Sequence, residues 1–471
     1  MSGVESEVSG VISIGKYRDR IVHGPIIRTM FWLGIPPLLN QIIIITYNTA
    51  DAYWLSQYSD ALVAVPRQVW PIYMLFNAFA MALTAASLGI VSQHVGGKMY
   101  REASRSASRF FTISFFIGAL LCAVLLSTKE LIFMRLLATP PEIFSEVIKY
   151  STIMAFDIFI GYTSVIFTAL LQSIGETKKP AIVNSAAVGL NVLLDPFLIL
   201  GMGPFPRLGV VGAALTDVMG KIISTLSLAH IIRRYYPDFM VTFSKDVDLR
   251  WAALVARIGL PVLILGLTNS FAFIAQLRMV NELGIITATS FAIGFVIADI
   301  IDGALFGLTS AVSIMVGQNL GAMNLKRAKE VAYKASILMF SLVALGAIII
   351  YPIKETLIGV FTKDPKIIFE ANLFLETLLP TLPFFGSLIV AISVGRGSGH
   401  TIAPTSIGMF RLWCLRIMLG YILAFALNMG SGGIWLAISM SNVIGGIAAI
   451  LWIKYGNWAK PVIREGGRDD K

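Results

Sequence analysis

The sequence predicts an all-α polytopic membrane protein: twelve transmembrane helices in two six-helix lobes, related by a pseudo-two-fold axis along the membrane normal. Three observations carry this expectation. The chain of 471 residues is 56% hydrophobic and only 14% charged, with a mean hydropathy of +0.78, a composition foreign to soluble domains of this length. Hydropathy cut at charged and Gly/Pro breaks gives twelve spans. Segments of the first half then recur in the second at a nearly constant offset.

In order, the spans fall near 29–57, 62–94, 105–128, 146–172, 179–200, 209–235, 251–283, 287–319, 329–353, 367–394, 402–427 and 433–455. The first is the most unusual. Within Phe31 to Leu55, Pro36 and Pro37 each remove a backbone donor and free a carbonyl four residues earlier, so a hinge is expected there. Asp51 follows in the same span, at a cost of roughly 2.5 to 3.5 kcal/mol on the mildest insertion scale. Tyr47 and Asn48, four and three residues earlier, share its face. In the fifth span Asn184, Asn191 and Asp195 recur at intervals of seven and four, again on one face, and Pro196 frees the carbonyl of Val192 beside them.

Charge asymmetry sets the orientation. With both tails and the even-to-odd loops on one side, that side carries 24 Lys/Arg against 9 on the other, placing both termini in the cytoplasm of a cell-membrane protein. Residues 1–25 read as a cytoplasmic tail lacking the apolar core of a signal peptide, and 456–471 as a second tail. The net charge of +10 lies in short loops, so it reads as orientation and not as nucleic-acid binding. Cys122 and Cys414 sit inside apolar spans without metal-ligand spacing. No Walker A, HExxH or GxSxG arrangement signals an ATPase, metalloprotease or hydrolase.

The repeat divides the chain at its one extended hydrophilic connection. LGIP at 33–36 matches IGLP at 258–261, and VSQHVGGKMYREA at 91–103 matches VGQNLGAMNLKRA at 316–328, both at an offset of 225. QSIGETKKP at 172–180 matches RGSGHTIAP at 396–404 at 224. The expected lobes are 26–235 and 251–455, joined by a cytoplasmic linker over 236–250. Neither Asp51 nor Asp195 has an acidic counterpart: the equivalent positions are Gln276 and Leu419. A scaffold requirement would recur in both halves, so the two acids read as a coupling site.

Two six-helix halves, a Pro-bent first helix bearing a carboxylate, VSQHVGG with its echo VGQNLGA, and GETKKP before the fifth helix together resemble the MATE family of multidrug and toxic compound extrusion transporters. The likeness extends over residues 25 to 455 and is closest to the DinF-like branch of prokaryotes, whose first lobe carries the acidic site. A departure fits that branch. The seventh helix holds Gln276 where another branch keeps an acid, and the tenth holds only Glu376. The resemblance implies a secondary antiporter that exports amphiphilic, often cationic or aromatic compounds, needs no cofactor beyond a coupling H⁺ or Na⁺, and works as a monomer among membrane lipids. It also places the Thr216 hydroxyl near the two acids, so Asp51, Asn191, Asp195 and Thr216 are the candidate cation ligands.

The remaining polar groups at membrane depth are read individually. Asp217 and Lys221 are an i, i+4 pair expected to neutralise each other. Tyr47, Asn48, Asn184, Gln276, Asp299 and Asp302 are expected to line a substrate cavity; Asp157 is left open, and Arg411 and Arg416 are long enough to snorkel and receive no role. The 18 Met and 29 Phe suit an adaptable pocket, although lipid-facing and packing roles account for most of them. A flippase for lipid-linked precursors shares the two-lobed plan; its pyrophosphate headgroup calls for several cavity Arg or Lys, for which Arg411 and Arg416 are the only candidates.

Overall fold

A computed structural model describes residues 12–58, 62, 64–137 and 139–463, apart from some side chains in the first and eighth spans. A short helix α1 (Arg18–His23) precedes the first lobe, which comprises α2 (Ile26–Tyr58), α3 (Ala64–Gly96), α4 (Tyr100–Leu131), α5 (Pro141–Ser173), α6 (Lys178–Leu200) and α7 (Val210–Tyr235). The second lobe opens with α8 (Leu249–Glu282), α9 (Ile285–Gly321) and α10 (Leu325–Phe361). Its tenth span is α11 (Pro365–Leu378) and α12 (Leu382–Ser398), joined by a 3₁₀ turn at Pro380. The eleventh joins α13 (Ile402–Phe410), a π-helical stretch Arg411–Met418, α14 (Leu419–Tyr421) and a second π turn Ile422–Ala426; α15 (Gly430–Tyr455) is the twelfth.

Hydropathy underestimates α4 and α10 most. Both extend into amphipathic ends, Tyr100–Ser104 and Lys354–Phe361, whose polar residues belong to the helix although not to its apolar span. The N-terminal segment is also more than a tail. α1 buries Ile21 and Val22, Arg18 Nε donates to Gly96 O at 2.7 Å, and the Arg20 guanidinium stacks over Trp32 at 4.0 Å. Glu176 of the GETKKP motif gathers this end: its Oε2 accepts from Tyr17 at 3.1 Å and from Tyr236 at 2.7 Å. Burial and the adjoining Glu176 push the Tyr17 hydroxyl up to about 12, so it remains a donor over any physiological pH.

Each lobe encloses its own core, and the starts of their first helices are exchanged. Ile26, Met30 and Leu33 at the start of α2 pack in the core of the second lobe, while Trp251, Val255 and Ile258 at the start of α8, the same positions shifted by 225, pack in the core of the first. Close approach makes the exchange work. A Cβ on Gly34 would lie 2.9 Å from the Leu308 Cα of α9, and one on Gly259 would lie 3.2 Å from the Ala82 carbonyl of α3. Within lipid, association rests on such packing because solvent offers no hydrophobic drive between helices.

Candidate functional site

Small residues let α2, α6 and α7 converge in the first lobe. Gly220 of α7 has no Cβ where Asn191 of α6 presses in, the amide oxygen lying 2.4 Å from the place a Cβ would occupy. One turn away, Thr216 Oγ1 lies 2.7 Å from Asp195 Oδ1 and equally close to the Ala213 carbonyl of its own helix. Asp195 and Thr216 are fully buried, and Asn191 is nearly so. The expected trio Asn191, Asp195 and Thr216 is therefore assembled. Asp51 lies near enough to Asp195 for the two charges to interact, and its Oδ1 is buried without a hydrogen-bond partner among the described residues, as is Asp195 Oδ2.

Asp217 departs from the sequence reading. No ion pair within 4.0 Å joins it to Lys221 among the described residues; instead Tyr47 of α2 donates to its Oδ1 at 2.6 Å, and the Asn191 amide reaches the same atom at 3.3 Å. The i, i+4 spacing brings two side chains to one helix face but cannot anticipate that helices α2 and α6 supply better partners. The Asn191 amide is satisfied with its nitrogen turned toward the Ala187 and Thr216 carbonyls, to which it donates at 3.1 and 2.8 Å, leaving its oxygen toward Asp217. That contact is favourable when Asp217 carries a proton.

Beside this cluster lies a cavity of about 280 Å³ whose wall includes Asn40, Asn184, Asn191, Asp217, Lys221 and Ser224. Asn184 is held between Thr168 (3.2 Å) and Ser224 (2.6 Å). Asp217 and Asn191 thus belong both to the carboxylate cluster and to the cavity wall, whereas Tyr47 and Gln276 are off that wall. Gln276 is buried in α8, its Nε2 without a partner among the described residues. Asp157 is buried in α5, close enough to Lys221 for the charges to interact. The side chains of Asn48, Asp299 and Asp302 lie outside the described residues. Pro36 and Pro37 stay inside a continuous α2, next to the tight packing of Leu38 on Gly307. Among the described residues no three His, Cys, Asp or Glu side chains converge as a metal-holding group, so a cation here would rely on carboxylate paired with neutral oxygen.

The second lobe corrects the expectation for the arginines. Arg411 does not snorkel: it is 6% exposed, donates to Asn442 Oδ1 at 2.7 Å and lies 4.8 Å from the Phe385 ring centroid. Arg416 lies 5.3 Å from the Phe295 centroid, and both arginines line an interior cavity of about 50 Å³. The cause is the π-helical stretch Arg411–Met418, in which residues i and i+5 align. An α-helical reading sends those two residues to different faces.

Fold and site together define a two-lobed membrane transporter in which the buried carboxylates of the described residues, Asp157, Glu176 and Asp195, belong to the first lobe. The sequence pattern of the MatE family matches residues 36–197 and 261–422, once in each lobe, and the chain belongs to that family. It is 26% identical over 452 residues to a probable multidrug resistance protein NorM of Thermotoga maritima, covering 93% of this chain and 94% of the relative. It is 25% identical over 416 residues to the probable multidrug resistance protein YoeA of Bacillus subtilis, covering 87% and 89%. A crystal structure of a MATE in a bent conformation superposes with a TM-score of 0.85 over 93% of this chain and 96% of that one, at 20% identity.

Proposed function

We propose that the protein is a cation-coupled secondary antiporter that exports small amphiphilic compounds across the cell membrane by alternating access, with both termini cytoplasmic. The observation that carries this reading is Asp217, which is bonded to Tyr47 of the Pro-containing helix α2 and also forms part of the cavity wall. Asp51 and Asp195 are the coupling carboxylates, and Asp217 transmits their loading. Coulomb interaction among the three acids means that a cation on one alters the charge balance at the others. A proton on Asp217 weakens the charge-assisted bond from Tyr47. Released from α7, the distal half of α2 bends at Pro36 and Pro37, the cavity narrows and the substrate leaves.

The names of the relatives support a drug-like substrate, and the cavity wall, with one carboxylate, one ammonium and several amides, suits an amphiphile with a polar end. The driving force suffices: one charge crossing 100 mV releases about 2.3 kcal/mol. Transport of a fluorescent amphiphilic cation into proteoliposomes under separately imposed pH and sodium gradients tests the reading. Accumulation against the substrate gradient with one of them is expected; equilibration that ignores both gradients overturns it. Orientation is tested with Asn457→Cys, which should be protected from an impermeant thiol reagent in intact cells.

A further inference from the structure

The two copies of the second-span motif meet where α3, α9 and the ends of α5 and α12 converge, at the end of the molecule that holds Arg18 and Val462. Gln93 Nε2 of the first lobe donates to the Gly397 and Ser398 carbonyls of the second, each at 3.1 Å. Gln318 Nε2 of the second lobe donates to the Ser173 carbonyl of the first at 2.9 Å. These are one interaction and its image: Gln318 is Gln93 shifted by 225, and Gly397 is Ser173 shifted by 224. Both glutamines are fully buried.

The backbones around them are in contact. A Cβ on Gly96 would lie 2.0 Å from the Gln318 carbonyl oxygen, and one on Gly321 would lie 1.8 Å from that of Gln93, again a pair exchanged by the repeat. Lys98 and Met323, also repeat-equivalent, take left-handed backbone conformations with φ of 59° and 57°, turning the chain sharply out of each helix. One element breaks the symmetry. The amide of Val462, in the segment after α15, donates to Gln93 Oε1 at 2.8 Å, so Gln93 makes three bonds across this junction and Gln318 one.

We propose that Gln93 and Gln318 form a reciprocal latch that closes the transporter at the junction of α3 and α9, that the Val462 segment straps the Gln93 half, and that both must release before this end can open. The chemistry suits a gate. Amide-to-carbonyl bonds carry no net charge, so their strength is insensitive to pH and ion gradients, and water entering an opening seam can replace them. The two halves release independently, since each holds a different carbonyl. The latch rests on the alternating-access reading above, and its failure is separable from that of the reading, because conformation is measured without substrate or gradient.

Spin labels at Arg101→Cys and Lys326→Cys, exposed repeat-equivalent positions next to the junction, report its width by electron–electron resonance in nanodiscs, with Cys122 and Cys414 replaced by Ser. Gln93→Met and Gln318→Met preserve side-chain length and remove the donor. The longer-distance population should rise about tenfold relative to the shorter for Gln93→Met and about threefold for Gln318→Met, with the double variant near the product. Gly321→Ala should shift it the same way by a different route, since its methyl group collides only when the junction is shut. Should Gln93→Met fail to fold, Gln318→Met and Gly321→Ala carry the test. An unchanged distribution in the folded glutamine variants overturns the latch, whether or not Gly321→Ala moves it, while the antiport reading stands or falls on the vesicle assay.

Discussion

The two lobes have one helix plan and opposite interiors. Among the described residues, Asp51, Asp157, Asp195 and Asp217 of the first lobe share the interior with the ammonium of Lys221, whereas the interior of the second holds Gln276, Asn442, Arg411 and Arg416, the arginines lying over Phe385 and Phe295. The exchange of α2 and α8 and the glycine contacts recur in both halves, as a scaffold requirement does. Asp51 and Asp195 do not recur. On the antiport reading proposed above, such charge, costly in a membrane and present in one copy, is charge kept for work.

Substitutions that erase the difference should have the largest effect. Asp51→Asn or Asp195→Asn retains hydrogen-bonding capacity and loses the charge, and gradient-driven uptake into vesicles should fall at least 100-fold for either, the double variant being little worse because both serve one site. Thermal stability should hold or rise. Next comes the link to α2: Tyr47→Phe removes the 2.6 Å bond to Asp217, and turnover should drop about tenfold, with Asp217→Asn comparable. A third and smaller effect is expected at the hinge, where the Pro36→Ala, Pro37→Ala double variant should slow turnover several-fold in folded protein; unchanged turnover removes the prolines from the mechanism. The least effect on coupling belongs to the second lobe. Gln276→Ala should retain the cation dependence of uptake, and Arg411→Met should do likewise while lowering stability by roughly 1 to 3 kcal/mol as the Asn442 carbonyl and the Phe385 face lose their partner. Loss of cation dependence in either would mean that the second lobe shares the coupling chemistry.

Much of this was legible in the chain. Apolar spans are long and uniform enough that most helix ends fall within a few residues of expectation, and the repeat supplied the lobes, since an offset of 225 is detectable without any knowledge of packing. Asp51 and Asp195 stood out because an acid in an apolar span is costly and therefore conspicuous, Asn191 because it shares a face with Asp195, and Thr216 only through the family resemblance. What escaped has a common cause, dependence on contacts between helices or on local departures from 3.6 residues per turn. Asp217 was paired with Lys221 because they are neighbours along one helix, while its actual partners come from α2 and α6. Arg411 and Arg416 were given no role because nothing in RLWCLRIM announces the π turn that aligns them. α1 was read as tail because the segment mixes charges without an apolar run, although Arg18 finds its acceptor at the end of α3 and the adjoining Tyr17 on the loop between α5 and α6.

The exchange of first helices has a consequence for how the halves move. Were each lobe self-contained, the two could part like separate bodies on a flexible tether, and lipid could flow between them. Because the beginning of α2 is seated in the second lobe and the beginning of α8 in the first, each half holds the other by an embedded shaft, packed closely at Gly34 and Gly259. In the alternating-access cycle proposed above, rocking would proceed about these crossed shafts as about a fulcrum, and the backbone buried in each seat would stay shielded from lipid.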